Sequence, residues 1–341
     1  MSSPADLMAQ GEDERLVPEE APAKEIVGRS PTQIALERLR HDKVAVVCFC
    51  IVTLMVLLTI FAPLICKALG ITWDVGGPDS VSITDGLDPY NMPVAEFGPP
   101  YGPFTWAHPL GIAPGVATDN LAYLLYGMRD SLFISVIATT ISVVIGLGVG
   151  LAAGFSRGWL DRVLSFVIDL FLSFPFILFA LAVAPIIVQR FDTNQKQLQT
   201  AQLWALITIL SVLGWMGLAR LIRGQVLSMR EREFILAAQV IGASTGRILI
   251  KEMIPNLIAT LVVVVSLSIP AFIAAEVGLS FLGLGLSGLP SMGQMIRAAG
   301  QYYDTYPLYL WAPVTALLVL VLSLNLLGDS IRDAFDPKTR R

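Results

Sequence analysis

Six apolar stretches, at about residues 44–66, 131–154, 163–187, 203–225, 259–283 and 309–328, constrain this 341-residue chain more than any other feature. The first, Val44 to Cys66, lies between Lys43 and Lys67 and would reach roughly 35 Å as a helix, enough to cross a hydrocarbon core of about 30 Å. The chain is 55% hydrophobic and 15% charged, with mean hydropathy +0.68, whereas soluble domains carry about 25% charged residues. An all-α membrane protein with six transmembrane helices is expected. Cys48, Cys50 and Cys66 lie in or at the end of the first stretch and read as small apolar residues, with neither disulfide nor zinc spacing.

Charge placement sets the expected orientation. Of the 23 Lys and Arg, only Lys67, Arg129, Arg190, Lys196 and Arg297 fall on one side; the other 18 lie in the N-terminal arm, the 155–162 and 220–258 regions and the tail. By the positive-inside rule both termini are cytoplasmic and the protein is multi-pass in the inner membrane. Residues 1–29 are polar and acidic without an apolar core, so a disordered cytoplasmic tail and no cleavable signal are expected. Segment 30–43 opens with Ser30-Pro31-Thr32-Gln33, a capping-box start. Its Ala35, Leu36 and Leu39 suit either an interfacial helix against lipid or an extension of the first span. Residues 67–130 form an outer loop rich in Pro, Gly and aromatics, 131–328 the core, and 329–341 a cytoplasmic tail.

Within the core, the inner connection 226–258 is long and amphipathic. Glu233 to Gly242 reads as a helix whose Ala237, Ala238 and Gly242 permit close approach of a partner, with Phe234, Leu236 and Ile241 as apolar contacts. Gly242 provides a left-handed stop and Ser244 a new cap; a second short helix is expected to end at Pro255. Such a stiff elbow can transmit a displacement that a floppy loop would absorb.

Ala237-Ala238, Gly242 and Ile254-Pro255 resemble the EAA loop of ABC importer permeases, although Leu236 stands where that family has glutamate and Glu252 where it has isoleucine. Further stretches resemble the oligopeptide/dipeptide/nickel branch, C-type. They include His108-Pro109-Leu110-Gly111, Gly158-Trp159-Leu160-Asp161, Ser280 to Gly285, Pro290 to Gly293 and Gly328 to Pro337. The resemblance implies the type I importer permease (MetI-like) fold. It also implies coupling to ATPase subunits through Glu233, Ala237, Ala238, Gly242, Ile254 and Pro255. Implied partners are a second homologous permease, two ATP-binding subunits that carry ATP and Mg, an extracytoplasmic substrate-binding protein and membrane lipid; no nucleic acid is expected. Short peptides are the implied cargo, with nickel or another small solute as the alternative.

Glu276 in the fifth span and Asp169 in the third are the candidate translocation-path or gate residues, because ionisable groups there are costly unless they face protein or water. For Glu276 an interhelix hydrogen bond is the competing reading, and for Asp169 a reach to the membrane interface. Gly146, Gly150 and Gly154, four apart, suit close helix packing or a hinge. Tyr302, Tyr303, Tyr306, Tyr309 and Trp311 read as an interfacial aromatic belt. No catalysis is expected. There is no Gly-Lys pair and hence no phosphate-binding loop, and no His-Glu-x-x-His. Gly285-Leu286-Ser287-Gly288 suggests a serine nucleophile, but the two histidines, His41 and His108, lie on opposite sides of the membrane or in a loop. A secondary transporter is the non-enzymatic rival.

Overall fold

The computed structural model describes residues 31–74, 86–189, 195–285 and 288–335. The disordered-tail reading of 1–29, the helix cap at Ser30, Leu286-Ser287 of the serine motif and residues 336–341 lie outside the described residues. The chain is helical: α1 Pro31–His41, α2 Lys43–Ile60, α3 Ala62–Leu69, α4 Asn120–Phe155, α5 Trp159–Leu172, α6 Phe176–Gln189, α7 Gln195–Met229, α8 Glu233–Val240, α9 Ile254–Leu279, α10 Met292–Ala299 and α11 Pro307–Phe335. Among the described residues there are only two isolated β-bridges, both in the loop before α4. Among the described residues five helical stretches are long and apolar enough to cross a membrane, and the α5–α6 pair makes a sixth crossing if counted as one span.

That sixth span is broken near Pro175, the residue at which the sequence allows a kink in the 163–187 stretch. The pair is bent by 88°, with Ser173-Phe174-Pro175 at the break. Proline removes an amide donor and restrains the residue before it from the α region. Ser173 answers locally, its hydroxyl donating to the Asp169 carbonyl at 2.8 Å. The first span is also interrupted, at Phe61 just before Pro63, and α4 begins eleven residues earlier than the apolar run. Asp119 caps α4 by accepting from the amide of Ala122 at 2.9 Å.

α4 and α7 form the central pair, running parallel, and three glycines let them touch. A Cβ on Gly146 would lie 2.8 Å from the Trp215 carbonyl oxygen; on Gly150 or Gly154 it would lie 2.7 Å from Cβ of Ile222 or Val226. The spacing of four therefore serves packing, and α4 runs unbroken through all three glycines. α9 packs beside α4, α11 against α9, α2 against α11, and α5 and α6 along α7. α1 returns to the end of α11, where the Ser330 hydroxyl donates to Asp42 at 2.7 Å.

The aromatic belt needs correction. Tyr303 and Trp311 are exposed, but Tyr306 and Tyr309 are buried in the core with Met128, Ile273 and Met292. Tyr306 anchors the loop before α4: its hydroxyl lies 2.6 Å from the Leu110 carbonyl oxygen and 2.9 Å from that of Pro99, and it accepts from the Asn120 amide at 3.1 Å. His108 adds a second tie, its Nδ1 lying 2.8 Å from the Asp119 carboxylate.

Candidate coupling elbow and pathway residues

α8 has two faces with different fates. Ile235 and Ala238 are buried with Ile222 and Val226 of α7, Leu151 of α4, and Ile248, Met253 and Leu257 further along the elbow. Phe234, Leu236, Val240 and Ile241 are exposed; Val240 and Ile241 are 87% and 79% accessible. One apolar face is thus fixed to the bundle while the other has no cover among the described residues. Of the paired alanines, Ala238 is the buried one and Ala237 faces outward.

The helix stops at Gly242 by hydrogen-bond geometry. With φ at +78°, Gly242 donates to the Gln239 carbonyl at 3.0 Å, and Ala243 donates to that of Ala238 at 3.0 Å. This pair of bonds is a Schellman motif. A Cβ on Gly242 would meet nothing within 4 Å, so backbone conformation, not crowding, demands glycine. Ser244 is extended and precedes the next helical turn, although its side chain makes no cap bond.

The second arm differs from expectation. Pro255 does not end it. Helix is continuous from Thr245 through a π-helical stretch, Ile248–Met253, into α9. Pro255 occupies the first turn of α9, where a missing amide is tolerated, and the wider π turn lies just before it. Ile254 is half-buried and Pro255 exposed. Glu233 sits in the first turn of α8 and lines a recess of 670 Å³ with Met229, Glu231, Arg232, Phe234 and Asn256. Arg230 secures the end of α7 by donating to the carbonyls of Gly154 and Ser156, each at 3.4 Å.

Glu276, toward the far end of α9, is 1% accessible. It accepts from the hydroxyls of Ser131 on α4 at 2.5 Å, Ser280 one turn on at 2.7 Å, and Ser291 at the start of α10 at 3.4 Å. The carboxylate therefore joins three elements. Backbones are close around it: a Cβ on Gly293 would lie 2.2 Å from the Val277 carbonyl oxygen, and one on Gly127 3.1 Å from the Met292 amide. Asp169, on α5, instead pairs with Arg220 of α7 at 2.5 Å, with both side chains 60% exposed. Glu276 and Asp169 thus belong to separate clusters. Ser280, four residues beyond Glu276 on the same helix, is a local partner, but Ser131, Ser291 and the Arg220 partner of Asp169 carry no local sequence signal that pairs them; only the cost of a lone intramembrane carboxylate signals that partners exist.

The family model for the inner membrane component of binding-protein-dependent transport systems matches residues 146–341, more than half of the chain. The chain belongs to that family. A second model, the N-terminal transmembrane domain of oligopeptide transport permease C, matches residues 30–72 of this inner membrane component. The Escherichia coli K12 oligopeptide transport system permease protein OppC is 34% identical over 317 residues, 93% of this chain and 94% of the relative. The dipeptide transport system permease protein DppC of Alkalihalophilus pseudofirmus is 31% identical over 320 residues, 94% of each. The Mycobacterium tuberculosis H37Rv OppC protein is 34% identical over 255 residues, 74% of this chain and 84% of the relative. Among solved structures, the inward-facing MetNI methionine ABC transporter superimposes with TM-score 0.51 at 22% identity, covering 63% of this chain and 96% of that one. This likeness concerns the fold, which is that of a type I importer permease.

Proposed function

We propose that this inner membrane component is the non-catalytic permease subunit of an ATP-driven importer of short peptides. It pairs with a second homologous permease, two ATP-binding subunits that hold ATP and Mg, and an extracytoplasmic binding protein, with both termini cytoplasmic. The single observation that carries the reading is the two-faced elbow, fixed through Ile235 and Ala238 and uncovered at Val240 and Ile241. The peptide cargo is supported by the similarity to oligopeptide and dipeptide permease proteins over nearly the whole chain.

In this reading Glu233, Ala237, Ala238, Gly242, Ile254 and Pro255 form the coupling unit. A push on the exposed tip passes through the Gly242 turn into continuous helix. Glu276 lies 22 residues beyond Ile254, about 33 Å along that helix. The hydroxyl cluster on Glu276 is the part of an outer gate that such a displacement reaches, and Asp169 lines the path. Segment 30–43 rests in the membrane interface.

Reconstitution tests the proposal. The complete complex in proteoliposomes should take up a labelled tripeptide only with binding protein and ATP. Uptake driven by an ion gradient through this chain alone would instead favour a secondary transporter.

A further inference from the structure

The Asp169–Arg220 pair is more exposed than a clamp between two helices needs to be. α5 is already held to α7 by Ile168, buried among Trp215, Met216 and Ala219. A second ion pair, Asp161–Arg223 at 2.9 Å, joins the same helices with side chains only 24% and 30% exposed, and the Ser165 hydroxyl also donates to Asp161. Asp169 on α5 and Arg220 on α7 by contrast keep 60% of their side-chain surface open, with exposed Phe166, Leu170 and Leu221 near them in sequence.

The space around the pair is kept clear. Gly217 and Gly224 lie three residues before and four after Arg220, on its face of the helix. A Cβ at either glycine would meet nothing within 4 Å. A recess of 230 Å³ lined by Ser165, Ile168, Asp169, Arg220 and Arg223 opens at the same place. Charges bare to hydrocarbon are costly, so this face turns toward water or protein, not lipid.

We propose that Asp169 and Arg220 form a charge-exchange site on the wall of the translocation path for a cargo that carries both a free ammonium and a free carboxylate. This rests on the importer reading and deepens it. An unblocked short peptide presents the same two charges as the pair itself. The Arg220 guanidinium donates two parallel hydrogen bonds to the cargo carboxylate, and Asp169 accepts from the ammonium. Each protein charge exchanges one partner for another, so neither is left unpaired when the cargo enters or leaves. The more buried Asp161–Arg223 pair keeps the two helices together meanwhile.

The test uses the complete complex in proteoliposomes, with Gly217→Cys or Gly224→Cys introduced singly and labelling of the unsubstituted chain subtracted. A membrane-impermeant thiol reagent should label both positions, and a free-ended tripeptide with binding protein and ATP should protect them. Amidating the tripeptide carboxylate should raise the half-protecting concentration, and the ratio of amidated to free tripeptide should be roughly tenfold larger in the wild-type complex than with Arg220→Gln, the size of one charge-assisted hydrogen bond. The binding protein's own preference is common to both complexes and cancels in that comparison. Labelling by lipid-soluble reagents alone, shielding by the second permease regardless of cargo, or an amidation ratio unchanged by Arg220→Gln would each overturn the site. Tripeptide uptake by the wild-type complex is read in parallel: its absence contradicts the importer reading, whereas cargo-free labelling still reports whether the face is wet.

Discussion

The amide of Ala243 donates to the carbonyl of Ala238 at 3.0 Å, closing the elbow over Gly242 at φ +78°. The buried alanine of the coupling helix is thereby tied to the first residue of the outgoing arm. Because the turn depends on a left-handed residue, Gly242→Ala should strain it by about 1–2 kcal/mol, and Gly242→Asn by less. Membrane insertion should be unchanged, while copurification of the ATP-binding subunits and peptide uptake should fall, more for Gly242→Trp, whose bulk also sits at the docking tip. Quantifying subunits retained on the purified permease checks this.

Gly150 faces Ile222 and the Ala219 carbonyl with no room for a side chain. Gly150→Leu should separate α4 from α7 and destabilise the chain by about 1–3 kcal/mol or more, as overpacking does. Thermal unfolding in detergent should show this, with Gly148→Leu as control, since a Cβ at Gly148 would meet nothing within 4 Å.

Removing the Glu276 carboxylate leaves the Ser131, Ser280 and Ser291 hydroxyls without their common acceptor. Glu276→Ala should cost about 1–3 kcal/mol for each buried hydroxyl that finds no new partner. Glu276→Gln should be milder, because its amide oxygen still accepts and the hydroxyls can rotate. Thermal stability and uptake measured together separate the roles: a latch at the gate predicts that Glu276→Gln loses uptake before it loses stability.

Tyr306 gives the pH-dependent prediction. Burial pushes its phenol well above the ordinary tyrosine range, with the charge of Asp119 acting in the same direction and the Asn120 hydrogen bond opposing. A group raised in the folded state contributes stability that is present below its unfolded value, about 10, and lost as pH rises through the folded value. Unfolding should therefore become easier above pH of about 10, and Tyr306→Phe should lessen that alkaline loss. The same variant should loosen the 99–111 segment at neutral pH, seen as faster proteolysis there.

What could be read from the sequence was what local chemistry decides. Apolar length gave the spans, and Gly242 between two amphipathic arms gave the elbow. Partners far apart in sequence were illegible: Ser131 and Glu276 are separated by 145 positions, and nothing near either names the other. Tyr306 and Tyr309 share the composition of an interfacial belt, and only the packing of α11 against α4 and α9 turns them inward. Pro175 announced a kink, but its 88° angle depends on where α5 and α6 each find cover along α7. Pro255 misled because proline ends one helix and starts another with equal ease.

The most direct test of the whole account is the crosslinking partner of Ile241→Cys in intact cells. This side chain is 79% accessible at the uncovered tip of the elbow. The account predicts a crosslink to an ATP-hydrolysing subunit whose yield changes between nucleotide-free and ATP-trapped states. A fully active transporter in which this cysteine never reaches such a subunit would contradict it.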